Sequence, residues 1–334
     1  MTVDVRKEEG GPRAAADPGD LVLDASGITL RFGGVTSLDG VELGMRRGEI
    51  LAVIGPNGAG KTSLFNSLTG AYVPQEGRIT YRPRAGGEHE LRGRKPYRVN
   101  RLGVARTFQN IRLFSALTAL ENVKIAAETR LKAGPVSVML GLPSARRAER
   151  RSDERAHEVL DFVGLAGKLN ELAGSLSYGD QRRLEIARAL ATDPQVLLLD
   201  EPAAGTNPTE KLELEELIRR INRELGVSVL LIEHDMRLVM SVADRVMVLN
   251  FGRRIAEGTP SAVQQDPAVV QAYLGAPAAD AASDDAAPDE GTAPDGTTAR
   301  GGTEPTDARV PSARDGEDAG TRAARNEQPG EEPK

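Results

Sequence analysis

Leu51-Ala52-Val53-Ile54-Gly55-Pro56-Asn57-Gly58-Ala59-Gly60-Lys61-Thr62 is the stretch that decides how this chain folds. Its first four residues are apolar without interruption, as in a strand covered on both faces. The next eight read GxxxxGK[ST], and Ser63 to Leu68 continue as a helical segment. A strand entering a glycine-rich loop that opens a helix is the context in which this spacing cradles phosphate. Gly55, Gly58 and Gly60, with Pro56, Asn57 and Ala59 between them, let backbone N–H groups wrap phosphate oxygens closely. Lys61 supplies a point charge for the β- and γ-phosphates, and Thr62 a hydroxyl for Mg2+. The helix opening at Ser63 adds the positive end of its dipole. The chain has 36 Gly among 334 residues, and only 8 of its 43 basic residues are Lys. An accidental match then arises on the order of 0.01 times per chain, so the spacing predicts nucleotide binding.

Two more apolar runs, Val196 to Leu199 and Val229 to Ile232, are continuous in the same way. Between them Leu214, Leu217, Ile218, Ile221 and Leu225 form an i, i+3, i+4, i+7 stripe, the mark of a helix with one buried face. Strand, helix and strand in that order give a βαβ unit and an α/β fold. A further helical zone at about 115 to 165 interrupts the alternation and predicts an inserted helical subdomain. The run from Val196 ends in Asp200-Glu201-Pro202. A carboxylate there can hold Mg2+, usually through water, which is the role expected of Asp200. Glu201 is then placed to polarise the water that attacks the γ-phosphate.

Composition bounds the rest. Cysteine is absent, which excludes a disulfide framework, thiolate metal sites and a cysteine nucleophile. No stretch reaches the roughly 20 apolar residues of a bilayer crossing, and residues 1–20 lack the apolar core of a signal peptide. Any membrane role is expected to come through a partner. The net charge is −6, but residues 277–334 hold 14 acidic and 6 basic residues, so the body before them is close to neutral. That balance, with 3% aromatics, argues against a nucleic-acid binder. The segment 277–334, whose only large aliphatic residue is Val310, reads as a disordered acidic tail, and 1–20 as a disordered N-terminal one. Two arginine-rich clusters, Arg92 to Arg101 and Arg146 to Arg155, read as solvated faces or, where the inserted helices carry them, as a surface turned toward anionic lipid.

Leu176-Ser177-Tyr178-Gly179-Asp180-Gln181 resembles the signature motif of ABC ATPases, and it follows the phosphate loop and precedes Asp200-Glu201 as in that family. The resemblance spans about residues 24 to 275. It implies a P-loop NTPase core of α/β class with a mixed sheet, an antiparallel β subdomain and a helical subdomain at about 110–185, all within an ATPase domain at 21–276. It also implies that Ser177 and Gly179 meet the γ-phosphate of an ATP held by the opposite subunit. Gln109 looks like the glutamine that senses Mg2+ and contacts the membrane partner, and His234 like the histidine that bonds the γ-phosphate. Phe32 resembles the aromatic that stacks on adenine. Asn207 stands where the family usually has Asp in the loop crossing the dimer interface, and Asp180 where it usually has Gln.

Arg106-Thr-Phe-Gln-Asn-Ile-Arg-Leu-Phe, Asp200-Glu-Pro-Ala-Ala-Gly, Leu231-Ile-Glu-His-Asp-Met and the ending Ala272-Tyr-Leu-Gly are similar to the LivG-type ATPases of branched-chain amino acid importers. This implies ATP and Mg2+ as cofactors and a head-to-tail pair with a LivF-like ATPase or a second copy. It further implies two transmembrane permeases, an extracytoplasmic solute-binding protein reached indirectly, and a place at the cytoplasmic face of the cell membrane. ATPases for urea, short amides or lipopolysaccharide are the alternative. ABC proteins of DNA repair or ribosome rescue would carry zinc-binding cysteines, coiled-coil arms or two fused cores, and none is present in the sequence.

Overall fold

The computed structural model describes residues 20–129 and 143–274. The tail expected at 277–334 and nearly all of 1–20 lie outside them. The three apolar runs become neighbouring parallel strands in the order β3 (Ile50–Ile54), β8 (Ser228–Ile232) and β7 (Val196–Asp200), with every residue buried. Strand β6 (Val104–Arg106) extends the sheet past β7, and β9 (Arg245–Asn250) lies parallel to β3 on the other side. Strand β10 (Arg253–Gly258) runs antiparallel to β9, giving a mixed six-stranded sheet.

The runs are continuous because alternate residues serve different cores. Leu197, Leu199, Val229 and Leu231 pack into a cluster shared with the helices. Val196, Leu198, Leu230 and Ile232 face a second cluster with Leu23, Ile28, Leu64 and Phe65. That second cluster lies under a four-stranded antiparallel sheet of β1 (Leu21–Phe32), β2 (Val35–Arg46), β4 (Glu76–Tyr81) and β5 (His89–Glu90), ordered β2-β1-β4-β5. Helix α1 (Lys61–Leu68) contributes Leu64, Phe65 and Leu68 to it.

Helix α6 (Pro208–Leu225) buries Leu214, Leu217, Ile218 and Ile221, the stripe read from the sequence, with Leu225 at its half-buried edge. Asn207 caps it through a reciprocal box with Glu210, Pro208 follows in the first turn, and Gly226 ends it at φ 63°. The short α2 (Pro96–Leu102) precedes β6, and the helical zone consists of α3 (Ala119–Glu128), α4 (Pro143–Phe162) and α5 (Tyr178–Ala191). Val123, Leu160 and Leu184 from these three helices join the cluster that holds Leu197 and Val229. One core thus ties the helical zone to the sheet. After β8 come α7 (Met236–Val242), then α8 (Pro260–Gln264) and α9 (Pro267–Leu274) beyond β10. Among the described residues no helix is long and apolar enough to cross a membrane.

Candidate nucleotide-binding and hydrolytic site

Helix α1 is the one to which the phosphate loop leads, and it has no side-chain cap. By contrast, α3, α5, α6, α7 and α8 are capped by Thr118, Ser177, Asn207, Asp235 and Thr259. An uncapped first turn leaves its N–H groups for an anion. The loop is closed by glycines that nothing else could replace. A Cβ on Gly55, at φ 150°, would stand 2.1 Å from the Leu249 carbonyl oxygen, and one on Gly60, at φ 102°, would stand 2.7 Å from that of Ser37. Lys61, 8% exposed, donates from Nζ to the carbonyls of Gly55 at 2.6 Å and Pro56 at 3.1 Å. Burial lowers its pKa, while the negative charges of Glu201 and Asp200 act in the opposite direction. Thr62 is exposed at the mouth of the loop, and Ser63 accepts a hydrogen bond from the Ser37 hydroxyl at 2.7 Å.

The structure brings the expected hydrolytic residues together. Gln109 Nε2 donates to Glu201 Oε2 at 2.8 Å, and His234 Nδ1 lies 4.0 Å from the same oxygen. Glu201 follows the last residue of β7 at φ 46°. A left-handed backbone on a non-glycine residue costs energy and is retained where a site demands the side chain. Its N–H donates to the Ile232 carbonyl at 2.9 Å, which fixes it against the neighbouring strand. His234 is two-thirds exposed, so it can reach an added ligand. The Thr62 hydroxyl, the Asp200 carboxylate and the Gln109 amide oxygen are hard oxygen donors of the kind that suits Mg2+, an ion that takes few protein ligands plus substrate phosphates.

Phe32 ends β1 and is 45% exposed rather than in the core. Its ring meets Tyr72 edge-on at 5.1 Å. The β1–β2 hairpin carries Ser37 and Leu38 onto the phosphate loop, so the aromatic pair belongs to the same surface. Ser177 and Gly179 open α5, and among the described residues no hydrogen bond or ion pair joins either to Lys61, Asp200 or Glu201. Gly179 lies against Glu210, where a Cβ would be 2.7 Å from a carboxylate oxygen. Asn207 has a role an Asp would also fill, since either side chain caps α6.

Four contributors were not assigned from the sequence. Arg106 donates from Nη2 to Asp200 Oδ2 at 2.6 Å and from Nη1 to Asn66 at 2.6 Å, between the rings of Phe65 and Phe108. Both members of the ion pair are buried, with side chains 9% and 4% exposed. Arg106→Met should therefore leave a buried carboxylate unpaired, at a cost of about 3–5 kcal/mol. The expected fall in Tm, read by scanning calorimetry, is on the order of 10 °C. Glu233, fully buried, accepts from the N–H groups of Ala203, His234 and Asp235, and burial raises its pKa against those bonds. Arg182 on α5 donates to the carbonyls of Phe108 at 2.8 Å and Gln109 at 2.9 Å, and its partner Glu185 accepts from Phe108 N–H at 3.1 Å. The fourth is Tyr72. The one local signal was the i, i+3 spacing of Arg182 and Glu185.

Beside this clamp runs a groove of about 530 Å3, lined in part by Phe108, Arg112, Phe114, Ile125 and Arg188. Arg112 lies over the Phe108 ring at 4.5 Å and Arg188 over Phe114 at 5.1 Å. Of the basic clusters, Arg92 is engaged with the carbonyls of Pro74 and Gly77, and Arg155 approaches Glu158 and Asp193.

A family model described as "ABC transporter" matches residues 38–204, and one described as "Branched-chain amino acid ATP-binding cassette transporter" matches residues 253–279. The chain is 47% identical over 254 residues to the high-affinity branched-chain amino acid transport ATP-binding protein LivG of Salmonella typhimurium, covering 76% of this chain and 98% of that protein. The figures are the same for BraF of Pseudomonas aeruginosa, described in the same words. A crystal structure of the ADP conformation of an ATP-binding cassette of an ABC transporter superimposes with a TM-score of 0.65 at 30% identity, covering 76% of this chain and 99% of that one. The sequence, the fold and the site geometry agree: the chain belongs to the ATP-binding cassettes of ABC transporters.

Proposed function

We propose that this chain is the ATPase subunit that powers an importer of branched-chain amino acids at the cytoplasmic face of the cell membrane. The observation that carries the reading is the convergence of Gln109, Glu201 and His234 beside the Lys61 loop in a chain so similar to LivG and BraF. Lys61 and the open first turn of α1 bind the phosphates, and Phe32 with Tyr72 offers an aromatic surface for adenine. Glu201 orients and deprotonates the attacking water, with Gln109 holding its carboxylate and His234 placed toward the γ-phosphate. Bound Mg2+, held by Thr62, Asp200 and Gln109, would offset charge on the β- and γ-phosphates.

Ser177 and Gly179 stand at the start of α5, and among the described residues neither is bonded to Lys61, Asp200 or Glu201. In this reading they serve the ATP of a partner subunit, either a LivF-like ATPase or a second copy. The groove of aromatic and arginine side chains lies against the segment that carries Gln109. Its chemistry fits a helix of a permease with an apolar face and an acidic group. Two permeases and, through them, an external binding protein complete the assembly.

Affinity purification from detergent-solubilised membranes tests this directly. Two multi-spanning permeases and a second ATPase should co-purify. Ribosomal or DNA-associated proteins without a permease would overturn the transport reading. Removing residues 277–334 should leave ATP turnover within about twofold of the full chain in a phosphate-release assay, because every residue assigned to the site precedes them.

A further inference from the structure

Asp180 is the point at which this chain's signature departs from the usual sequence, and the structure shows what it does there. Ser177 caps α5 by accepting from Asp180 N–H at 3.2 Å. The Ser177 hydroxyl hydrogen is itself donated to Asp180 Oδ2 at 2.7 Å. A serine has a single hydroxyl hydrogen to give. The same carboxylate oxygen accepts from Lys168 Nζ at 2.6 Å. Asp180 is largely enclosed, its side chain 14% exposed, and Lys168 is 41% exposed. Burial pushes the Asp180 carboxyl up, but the bonds from Lys168 and Ser177 together outweigh it, so the group is held below its ordinary range and stays charged.

We propose that Asp180 is a brake on the signature: it holds the hydroxyl proton that Ser177 must offer to a partner-bound ATP, and Lys168 sets how firmly. The proposal rests on the reading that Ser177 faces the γ-phosphate of the opposite subunit. To make that bond the hydroxyl must turn away from a carboxylate, exchanging one charge-assisted hydrogen bond for another. The carboxylate also repels an incoming triphosphate across a short distance, and the Lys168 ammonium offsets that repulsion. A neutral glutamine at this place would impose neither cost. The chain therefore needs more ATP to close its dimer than a relative with Gln here.

The experiment uses the full chain carrying Glu201→Gln, so that closed dimers are not consumed by hydrolysis. Association of this chain with the second ATPase that co-purifies with it, or with a second copy where none is recovered, is followed by analytical ultracentrifugation over a titration of ATP with Mg2+. Adding Asp180→Asn should lower the ATP concentration at half-maximal association about tenfold. Lys168→Met, with Asp180 intact, should raise it by a similar factor. Misfolding gives aggregates that do not depend on ATP, so a gain confined to an ATP-dependent dimer carries its own control. Asp180→Asn that associates no more readily, or not at all, overturns the proposal. Ser177→Ala placed on Asp180→Asn separates the two layers of the argument. It should shrink the gain to the part that relief of the carboxylate's repulsion supplies. A gain left undiminished would show that Ser177 does not meet the triphosphate and would remove the underlying reading as well.

Discussion

Glu201→Gln is expected to reduce ATP turnover about 1000-fold while leaving nucleotide binding intact. A positioned general base is worth about 10²–10⁴ in rate, and glutamine keeps the shape but cannot take a proton. The structure favours a clean result. Gln109 Nε2 donates to Glu201 Oε2 at 2.8 Å, a bond that a glutamine amide oxygen can also accept. The backbone at φ 46° is fixed by the bond from Glu201 N–H to Ile232, so the side chain keeps its direction. Steady-state phosphate release measures the loss, and closed dimers should accumulate when ATP is added. Turnover within tenfold of the unmodified chain would remove Glu201 from the role.

Lys61→Ala is expected to act earlier, weakening ATP binding itself about 100-fold. Hydrogen bonds to charged groups contribute about 1.5–3 kcal/mol each, and Lys61 would make them to two phosphates. Its ammonium is nearly enclosed and bonded to Gly55 and Pro56 carbonyls. Lys61→Arg should fail similarly, because a planar guanidinium does not fit a pocket shaped for a compact ammonium. Titration with a fluorescent ATP analogue checks both. Unchanged affinity in Lys61→Ala would show that the loop binds phosphate through its backbone alone.

The phosphate loop, the three central strands and the pair Asp200-Glu201 were legible in the sequence because each is local. Their chemistry and periodicity fall within a few residues. The antiparallel sheet came only from family resemblance, since β1 and β2 carry bulges that break strict alternation. The partners of the site residues were not legible. Arg106 reaches Asp200 across 94 positions and Asn66 across 40, from a strand of three residues with no periodic signal of its own. Glu233 sits inside a quoted motif, but its role depends on the turn at Ala203, 30 residues away. An aromatic at a strand end is as readily a core residue as a surface one, and only the folded hairpin shows Phe32 half-exposed beside Tyr72.

Arg182 is 1% exposed and grips the carbonyls of Phe108 and Gln109, on either side of the Gln109 Cα, while Glu185 holds Phe108 N–H. The helix that begins at Ser177 and the loop that carries Gln109 are in this respect one mechanical part. Turning that helix carries Gln109 along or breaks three hydrogen bonds where little water can replace them. On the proposed function, seating the signature on a neighbour and setting the glutamine against Glu201 are then strokes of the same lever. A half-engaged state, with one in place and the other withdrawn, is the costly one, and that cost keeps the stroke in step with the chemistry.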